Sequence, residues 1–281
     1  NALAAGRPDG NASVLTVQGI ACATIAAGAG RPVLCVHGLG HDAWDFAPFF
    51  VRCSKSASLL ALDLPGFGLA DKPAHARYDM DLYVDTVLAA ARSMSSPPVV
   101  VASSLGGHIA MVASMREPST FSKLLLAAPG GLVDAPAPLQ AVLRGYYRVD
   151  AIAQRNEAEI VSNSHRIFAA QDTALDHELA ARKLAVRRSD RAQEFAVPFS
   201  GIVDDVFRHV IRDRVQEIRV PTLIISGERD VVVPPDACSV AARRMGARFV
   251  AMRNVGHCPH LEVPDAFADL ALNFINSGND A

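Results

Sequence analysis

Val99-Val100-Val101-Ala102-Ser103-Ser104-Leu105-Gly106-Gly107-His108 is the stretch from which the rest of the chain can be read. Its three β-branched residues make a short buried strand, and Ile109-Ala110-Met111-Val112-Ala113 continue as a helix. A strand that breaks sharply into a helix at a serine is the setting of a nucleophile elbow. The turn lifts the Ser104 hydroxyl above the sheet edge, and the free N–H groups that open the helix point at the same spot. Those donors, with the positive end of the helix dipole, suit a negative oxygen forming beside the serine. The usual pattern is G-x-S-x-G, and here Ala102 replaces the first glycine. Small residues at 102 and 106 fit a crossing where strand and helix backbones pass close together. Ser-x-Gly alone most often marks a plain loop, so the decision rests on the partners a nucleophilic serine needs.

Upstream, Ser13–Val17 and Ile20–Ile25 read as paired strands joined by Gln18-Gly19. Pro32–Val36 is a continuous apolar run, as expected of a strand covered on both faces. It ends in His37-Gly38-Leu39-Gly40, a loop that can turn the Leu39 N–H toward the active serine or can be an ordinary glycine turn. Leu59–Leu62 is the next buried strand, and Asp63 after it, in Asp63-Leu64-Pro65-Gly66, reads as a turn anchor. A helix is predicted from Asp79 to Ser93 and a strand over Lys123–Ala128. Strands alternating with helices call for a mostly parallel sheet covered on both faces, with ligands at the carboxyl ends of its strands.

The alternation stops at about residue 132. Residues 132–218 read as mainly helical, an insertion placed to sit over the strand ends as a cap, and residues 1–131 and 219–281 as the core. Tyr146, Tyr147, Phe168, Phe195, Phe199 and Phe207 are candidates for lining a pocket from above or for packing the cap against itself. The sheet resumes at Val220–Ser226, followed by Gly227-Glu228-Arg229-Asp230; a helix over Pro235–Met245, a strand over Arg248–Met252 and Gly256-His257 come next. A serine hydroxyl needs a neutral base within hydrogen-bond reach to attack a carbonyl, and His257 can supply it. Asp230, ending the preceding strand, can fix the imidazole tautomer and stabilise the imidazolium. Each of the three residues alone is ordinary, but Ser104, Asp230 and His257 stand at successive strand ends in the order of a catalytic triad. His108 and His260 are the competing histidines.

These pieces resemble the α/β-hydrolase superfamily. The resemblance is carried by His37-Gly38-Leu39-Gly40, Asp63-Leu64-Pro65-Gly66-Phe67-Gly68, Ser103–Gly107, Gly227–Asp230, Gly256-His257 and the closing Glu262-Val263-Pro264-Asp265-Ala266-Phe267. It implies an eight-stranded sheet, a Ser104-Asp230-His257 triad, an oxyanion hole from the Leu39 and Leu105 N–H groups, and neither metal nor organic cofactor. Serine at the elbow sets the chain apart from dehalogenases and epoxide hydrolases, which carry aspartate there. Leu126–Gly131 and Gly107-His108 look like hydrolases that cleave carbon–carbon bonds in ring-fission products. Those usually have Asn before the nucleophile and Trp after the histidine, where Ser103 and Cys258 stand here. Arg182 is the candidate for their substrate-binding arginine, with an exposed helical arginine as the plainer reading. A small-ester serine hydrolase working through an acyl-enzyme is the leading expectation. The alternatives are a C–C bond hydrolase and a low-turnover small-molecule receptor.

Composition bounds these readings. With 281 residues, half of them hydrophobic, the chain buries a large core, which excludes disorder. A formal net charge of −2 gives no electrostatic reason to expect nucleic acid or an anionic membrane, and no apolar run approaches the roughly 20 residues of a membrane span. The expected partner is a small-molecule substrate. Five scattered cysteines, odd in number and without a CxxC pair, read as buried thiols in a reducing compartment. A cytoplasmic location follows from that reading, although a start at Asn1 is also compatible with a removed export signal, and Asn11-Ala12-Ser13 matches a glycosylation acceptor.

Overall fold

A computed structural model describes residues 11–165, 167–169, 173–186 and 192–278. Strands β1 (Asn11–Val17) and β2 (Ile20–Ala27) form the expected hairpin. Gln18 and Gly19 carry φ of 50° and 79°, the left-handed pair that a two-residue turn needs to match strand twist. Next come β3 (Arg31–Val36), α1 (Ala47–Cys53), β4 (Ala57–Leu62), α2 (Met80–Arg92), β5 (Val99–Ser103), α3 (Leu105–Arg116) and β6 (Lys123–Ala127). Among the described residues, five α-helices follow before the sheet resumes: α4 (Ala137–Tyr146), α5 (Val149–Ala153), α6 (Glu157–His165), α7 (Thr173–Val186) and α8 (Ala192–Val206). The chain closes with β7 (Thr222–Gly227), α9 (Pro235–Met245), β8 (Arg248–Met252), α10 (Pro259–Glu262) and α11 (Pro264–Asn276).

The strands form one eight-stranded sheet in the order β1-β2-β4-β3-β5-β6-β7-β8, with β2 antiparallel to both neighbours and every other pair from β4 onward parallel. The period of two along the strands sorts the core into two layers. Val33, Cys35, Val99, Val101, Leu125 and Leu223 face α1 and α11, meeting Phe49, Phe50, Phe267 and Phe274. Leu34, Val36, Val100, Ala102, Leu124 and Ile224 face the other way, toward Val84, Val87, Ile109 and Met111. Both faces are therefore apolar, which explains why these strands read as continuous hydrophobic runs.

Register sets where the chemistry falls. Val36 pairs with Ala102, Ala102 with Leu126, and Ala127 with Ile225, so β3, β5, β6 and β7 end at one edge. The loops after them carry His37–Gly40, Ser104 and Asp230, and His257 lies beyond β8 at the same edge. Among the described residues, the stretch between β6 and β7 contains no strand. It is tied to the core at several points. Asp205 at the end of α8 accepts the Met80 N–H at 2.7 Å, and the Phe199 ring packs edge-on against Phe67 at 5.2 Å.

Candidate active site

Ser104 sits between β5 and α3 with φ 49° and ψ −112°, a conformation that non-glycine residues seldom adopt. It is held there from both sides. Its N–H donates to the Ala127 carbonyl at 2.9 Å, and its own carbonyl accepts the N–H of His108 at 3.0 Å and of Gly130 at 2.9 Å. A side chain at Gly106 would run into the main-chain carbonyls of Val36 and His37, the latter at 2.6 Å. Glycine is thus what lets the start of α3 close onto β3, and the strained serine is the consequence. Ala102 is fully buried beneath this crossing, where its methyl group is accommodated.

The structure brings the other two predicted residues to this serine. His257 Nε2 lies 2.9 Å from Ser104 Oγ, and His257 Nδ1 lies 2.8 Å from Asp230 Oδ2. An ionised carboxylate can only accept, so the imidazole proton sits on Nδ1 and Nε2 is the acceptor facing the hydroxyl. The other Asp230 oxygen accepts the N–H groups of Val232 at 2.8 Å and Val233 at 3.0 Å, which locks the carboxylate's orientation. Glu262 is a contributor that composition and spacing left unassigned. Its carboxylate accepts the N–H groups of Gly256 and Ala169 at 2.9 Å and of Cys258 at 3.0 Å, clamping the histidine loop on both sides of His257. Its signals in the sequence are a carboxylate five residues after a loop histidine and its place at the head of the closing Glu262-Val263-Pro264 segment.

The loop after β3 passes directly over the serine, since a Cβ on Gly38 would lie 3.3 Å from Ser104 Cβ. Leu39 follows in that loop, and Leu105 opens α3, so both main-chain N–H groups expected to face an oxyanion belong to segments adjoining Ser104. His37, fully buried, shapes the loop: its Nε2 accepts the Leu64 N–H at 3.0 Å, leaving Nδ1–H to donate to the Gly38 carbonyl at 2.7 Å. Burial holds its pKa below the usual value, which favours this neutral form. Asp63 takes the structural role read for it, accepting the Ala43 and Leu69 N–H groups at 2.7 Å each.

A cavity of about 210 Å³ opens beside Ser104 and His257. Gly38, Leu39 and His41 line it from the core, and Tyr146, Tyr147, Arg155, Asn163 and Phe199 from the helices between β6 and β7. Three of the six candidate aromatics are thus at the cavity. Phe195 packs behind Phe199 at 5.2 Å, Phe168 packs with Leu179, Cys258 and Leu261, and Phe207 lies under the Arg144 guanidinium. A wider groove of about 710 Å³, along Gln18, Asp71, His75 and Arg77, has no hydroxyl or thiol among its described lining residues.

The competing histidines are built into the packing. His108 is fully buried, bonded through Nε2 to the His209 carbonyl at 2.7 Å, and burial lowers its pKa to about 4. His260 stacks on Phe46 with neither ring nitrogen partnered among the described residues, and burial lowers it to about 4 as well. Arg182 is neither exposed nor at the cavity: it bonds Asp42 at 2.9 Å and Asp45, both on the turn after β3. All five cysteines are buried and unbridged. Burial pushes the thiols of Cys22, Cys53 and Cys238 up to about 12, so they are protonated and unreactive. Among the described residues, no three His, Cys, Asp or Glu side chains are grouped to hold a metal ion, and no helix is long and apolar enough to cross a membrane.

With this geometry in place, comparison with known proteins is decisive for the family. The family model described as the alpha/beta hydrolase family matches residues 33–270. The chain belongs to that family. Among alpha/beta hydrolases, it is 27% identical over 266 residues to the pimeloyl-[acyl-carrier protein] methyl ester esterase of Neisseria meningitidis serogroup A, covering 87% of this chain and 77% of that one. It is 26% identical over 269 residues to the 2-hydroxymuconate semialdehyde hydrolase of Pseudomonas sp. (strain CF600), covering 90% of each. The 2-hydroxy-6-oxo-6-phenylhexa-2,4-dienoate hydrolase of Rhodococcus sp. strain RHA1 superposes with a TM-score of 0.83 over 96% of this chain and 100% of that one. At 19% identity that likeness speaks for the alpha/beta hydrolase fold.

Proposed function

We propose that this alpha/beta hydrolase cleaves small carboxylic esters through an acyl-enzyme on Ser104, with His257 as general base and Asp230 as its orienting partner. The observation that carries the reading is the continuous chain from Ser104 Oγ through His257 to Asp230, 2.9 and 2.8 Å per link, on a serine held in a strained turn. Ser104 Oγ attacks the carbonyl carbon as its proton passes to His257 Nε2. The carbonyl oxygen, now negative, is received by the Leu39 and Leu105 N–H groups. Collapse expels the alcohol, which takes the proton from His257. A water then repeats the sequence on the acyl group and frees Ser104. Residues 132–218 act as a cap whose Tyr147 and Phe199 shape the acyl pocket.

Carbon–carbon bond cleavage is the second reading, supported by the resemblance to 2-hydroxymuconate semialdehyde hydrolase. Against it stands Arg182, the candidate substrate-binding arginine, which is engaged by Asp42 and Asp45. The test is direct. Ser104→Ala should lower turnover of a short 4-nitrophenyl ester by about 10⁶-fold and abolish fluorophosphonate labelling. Ser103→Ala should keep the label. Labelling that survives Ser104→Ala would overturn the assignment, and labelling without steady-state turnover would favour a receptor.

A further inference from the structure

Leu39 stands between two glycines, so its own stretch of chain does not fix the direction of its N–H. Gly40 carries φ of 72°, and both glycines are buried while Leu39 is half-buried. A segment this free holds one shape only where its surroundings impose it. Two contacts do so, one on each glycine. His37 Nδ1 donates to the Gly38 carbonyl at 2.7 Å and holds the near side. On the far side the Phe199 ring of α8 lies directly against Gly40. A Cβ at that position would come within 2.5 Å of two ring carbons, Cε1 and Cζ.

The ring is itself held. Phe67 meets it edge-on at 5.2 Å, and Phe195 backs it at 5.2 Å. Phe67 also meets the His37 ring edge-on at 5.9 Å, so the two holds on the segment pack through one side chain. Helix α8 is seated on the core by close approach. Pro198 occupies the space over Gly66, where a Cβ would lie 2.3 Å from the proline ring. Gly201 brings the helix onto Tyr78, where a Cβ would lie 3.0 Å from the main-chain carbonyl oxygen. With Asp205 bonded to the Met80 N–H, the helix presents Phe199 to Gly40 at a set depth.

We propose that Phe199 is a positioning residue of the oxyanion hole: pressed on Gly40, its ring holds the Leu39 N–H toward the oxygen of the carbonyl that Ser104 attacks. The inference rests on the reading of Ser104 as the ester-cleaving nucleophile. A donor stabilises a developing oxyanion only where it is already aimed at it, and a mobile one must be ordered during the reaction. The helices between β6 and β7 therefore act on the chemical step as well as on the shape of the pocket.

The test measures kcat and KM for the 4-nitrophenyl esters of acetic, butanoic and hexanoic acid. Phe199→Ala should lower kcat by about 10- to 100-fold, the scale of a donor misaimed but still present. The loss in kcat should be equal on all three esters, because the oxyanion forms at one place whatever the acyl length. The role of the ring as pocket wall is read separately, as a KM that changes with acyl length. Phe199→Leu returns bulk to the space over Gly40 and should recover most of the lost kcat. Phe199→Val, a smaller cut that spares more of the packing, should show the same length-independent loss at a lower level. Gly40→Ala drives a methyl group into the ring, whereas in Gly40→Ala with Phe199→Ala the methyl takes the place of the ring. The double variant should therefore lose less than the product of the two single losses. Butylboronic acid, whose tetrahedral serine adduct carries an oxygen at the oxyanion position, should bind Phe199→Ala more weakly in proportion to the fall in kcat/KM.

Fluorophosphonate labelling of the parent protein keeps the two readings apart. A labelled parent in which Phe199→Ala and Phe199→Val lose no kcat, or lose more as the acyl chain lengthens, would confine Phe199 to the pocket wall. That result would overturn the proposal and leave the Ser104 reading standing. Single losses that simply multiply in the double variant would separate the ring from Gly40 and overturn it as well. A parent protein that takes no label and turns over no ester would overturn both readings.

Discussion

At the scale of the residue, the molecule separates histidines by environment. His257 faces a carboxylate and a hydroxyl, while His108 and His260 are buried with pKa values lowered to about 4. An unfolded histidine titrates near 6.5, so the unfolded chain takes up these protons first as pH falls. The contribution of each buried ring to stability is therefore complete above about pH 6.5 and is lost progressively toward pH 4. By pH 5.5 the loss is on the order of 1 kcal/mol per ring. Phenylalanine can occupy the stack between Phe46 and Phe267, so His260→Phe should leave the melting temperature at pH 8 nearly unchanged and flatten its decline between pH 6.5 and 4.5. An unaltered slope would mean that His260 is not held neutral. Glu262 gives a second test at this scale. Glu262→Ala leaves three N–H groups around the His257 loop without their acceptor, and should lower ester kcat by at least tenfold with a smaller effect on KM. A kcat equal to that of the parent would show that the loop holds His257 without the clamp.

Elements meet at sites where one side chain completes what the backbone leaves open. Lys123 opens β6 and is fully buried, yet its ammonium faces the end of α11. Nζ donates to the Phe274 carbonyl at 2.9 Å, the Ser277 carbonyl at 2.7 Å and Ser277 Oγ at 3.0 Å. Those carbonyls belong to the last turn of a helix, where no intrahelical donor is available and a cation suits the dipole. Lys123→Met keeps the length of the side chain but removes every donor, and should cost about 2–4 kcal/mol. Denaturant unfolding checks it, and a loss below about 1 kcal/mol would mean that water replaces the ammonium at the helix end. The elbow is the same kind of junction with opposite chemistry. Gly106→Ala places a methyl group against the carbonyls of Val36 and His37, so α3 must back away from β3 and take the Ser104 backbone with it. Ester turnover should drop by at least 100-fold, measured alongside a melt to show that the fold survives. Turnover within a few-fold of the parent would remove the tight crossing from the argument.

For the whole molecule, the question is how the helices between β6 and β7 are held to the sheet. Arg182 is a charged tie, with its side chain 20% exposed and bonded to two carboxylates of the turn after β3. The Ile167 carbonyl, bonded by the His257 N–H at 2.8 Å, is a second tie, and the His108–His209 contact a third. Arg182→Ala strands Asp45 in the interior without its guanidinium and should destabilise by about 3 kcal/mol. In a chain of this size that amounts to a melting temperature lower by several degrees. Because the cavity is walled by both parts, ester turnover should fall in the same variant. Full stability at pH 8 would mean that the tie is not closed in solution.

The sequence by itself determined the order of the strands in the chain, their parallel alternation with helices and the three residues later found in line. Those properties are local: apolar period, turn chemistry at Gln18-Gly19, and a Ser, an Asp and a His each following a strand. Tertiary structure decided what depends on which distant groups meet. It placed His257, rather than His108 or His260, against Ser104, because register ends the strands at one edge and of these three rings His257 leaves that edge with a nitrogen facing the serine. It turned Arg182 from an exposed or substrate-binding arginine into an interior ion pair, because Asp42 and Asp45 lie some 140 residues away in the chain and adjacent in space. It also gave Glu262 and His37 their work, since a carboxylate that accepts main-chain N–H groups carries no pattern of its own. Hydrogen bonds to the backbone depend on where the backbone has gone, and that is settled by the packing of the whole chain.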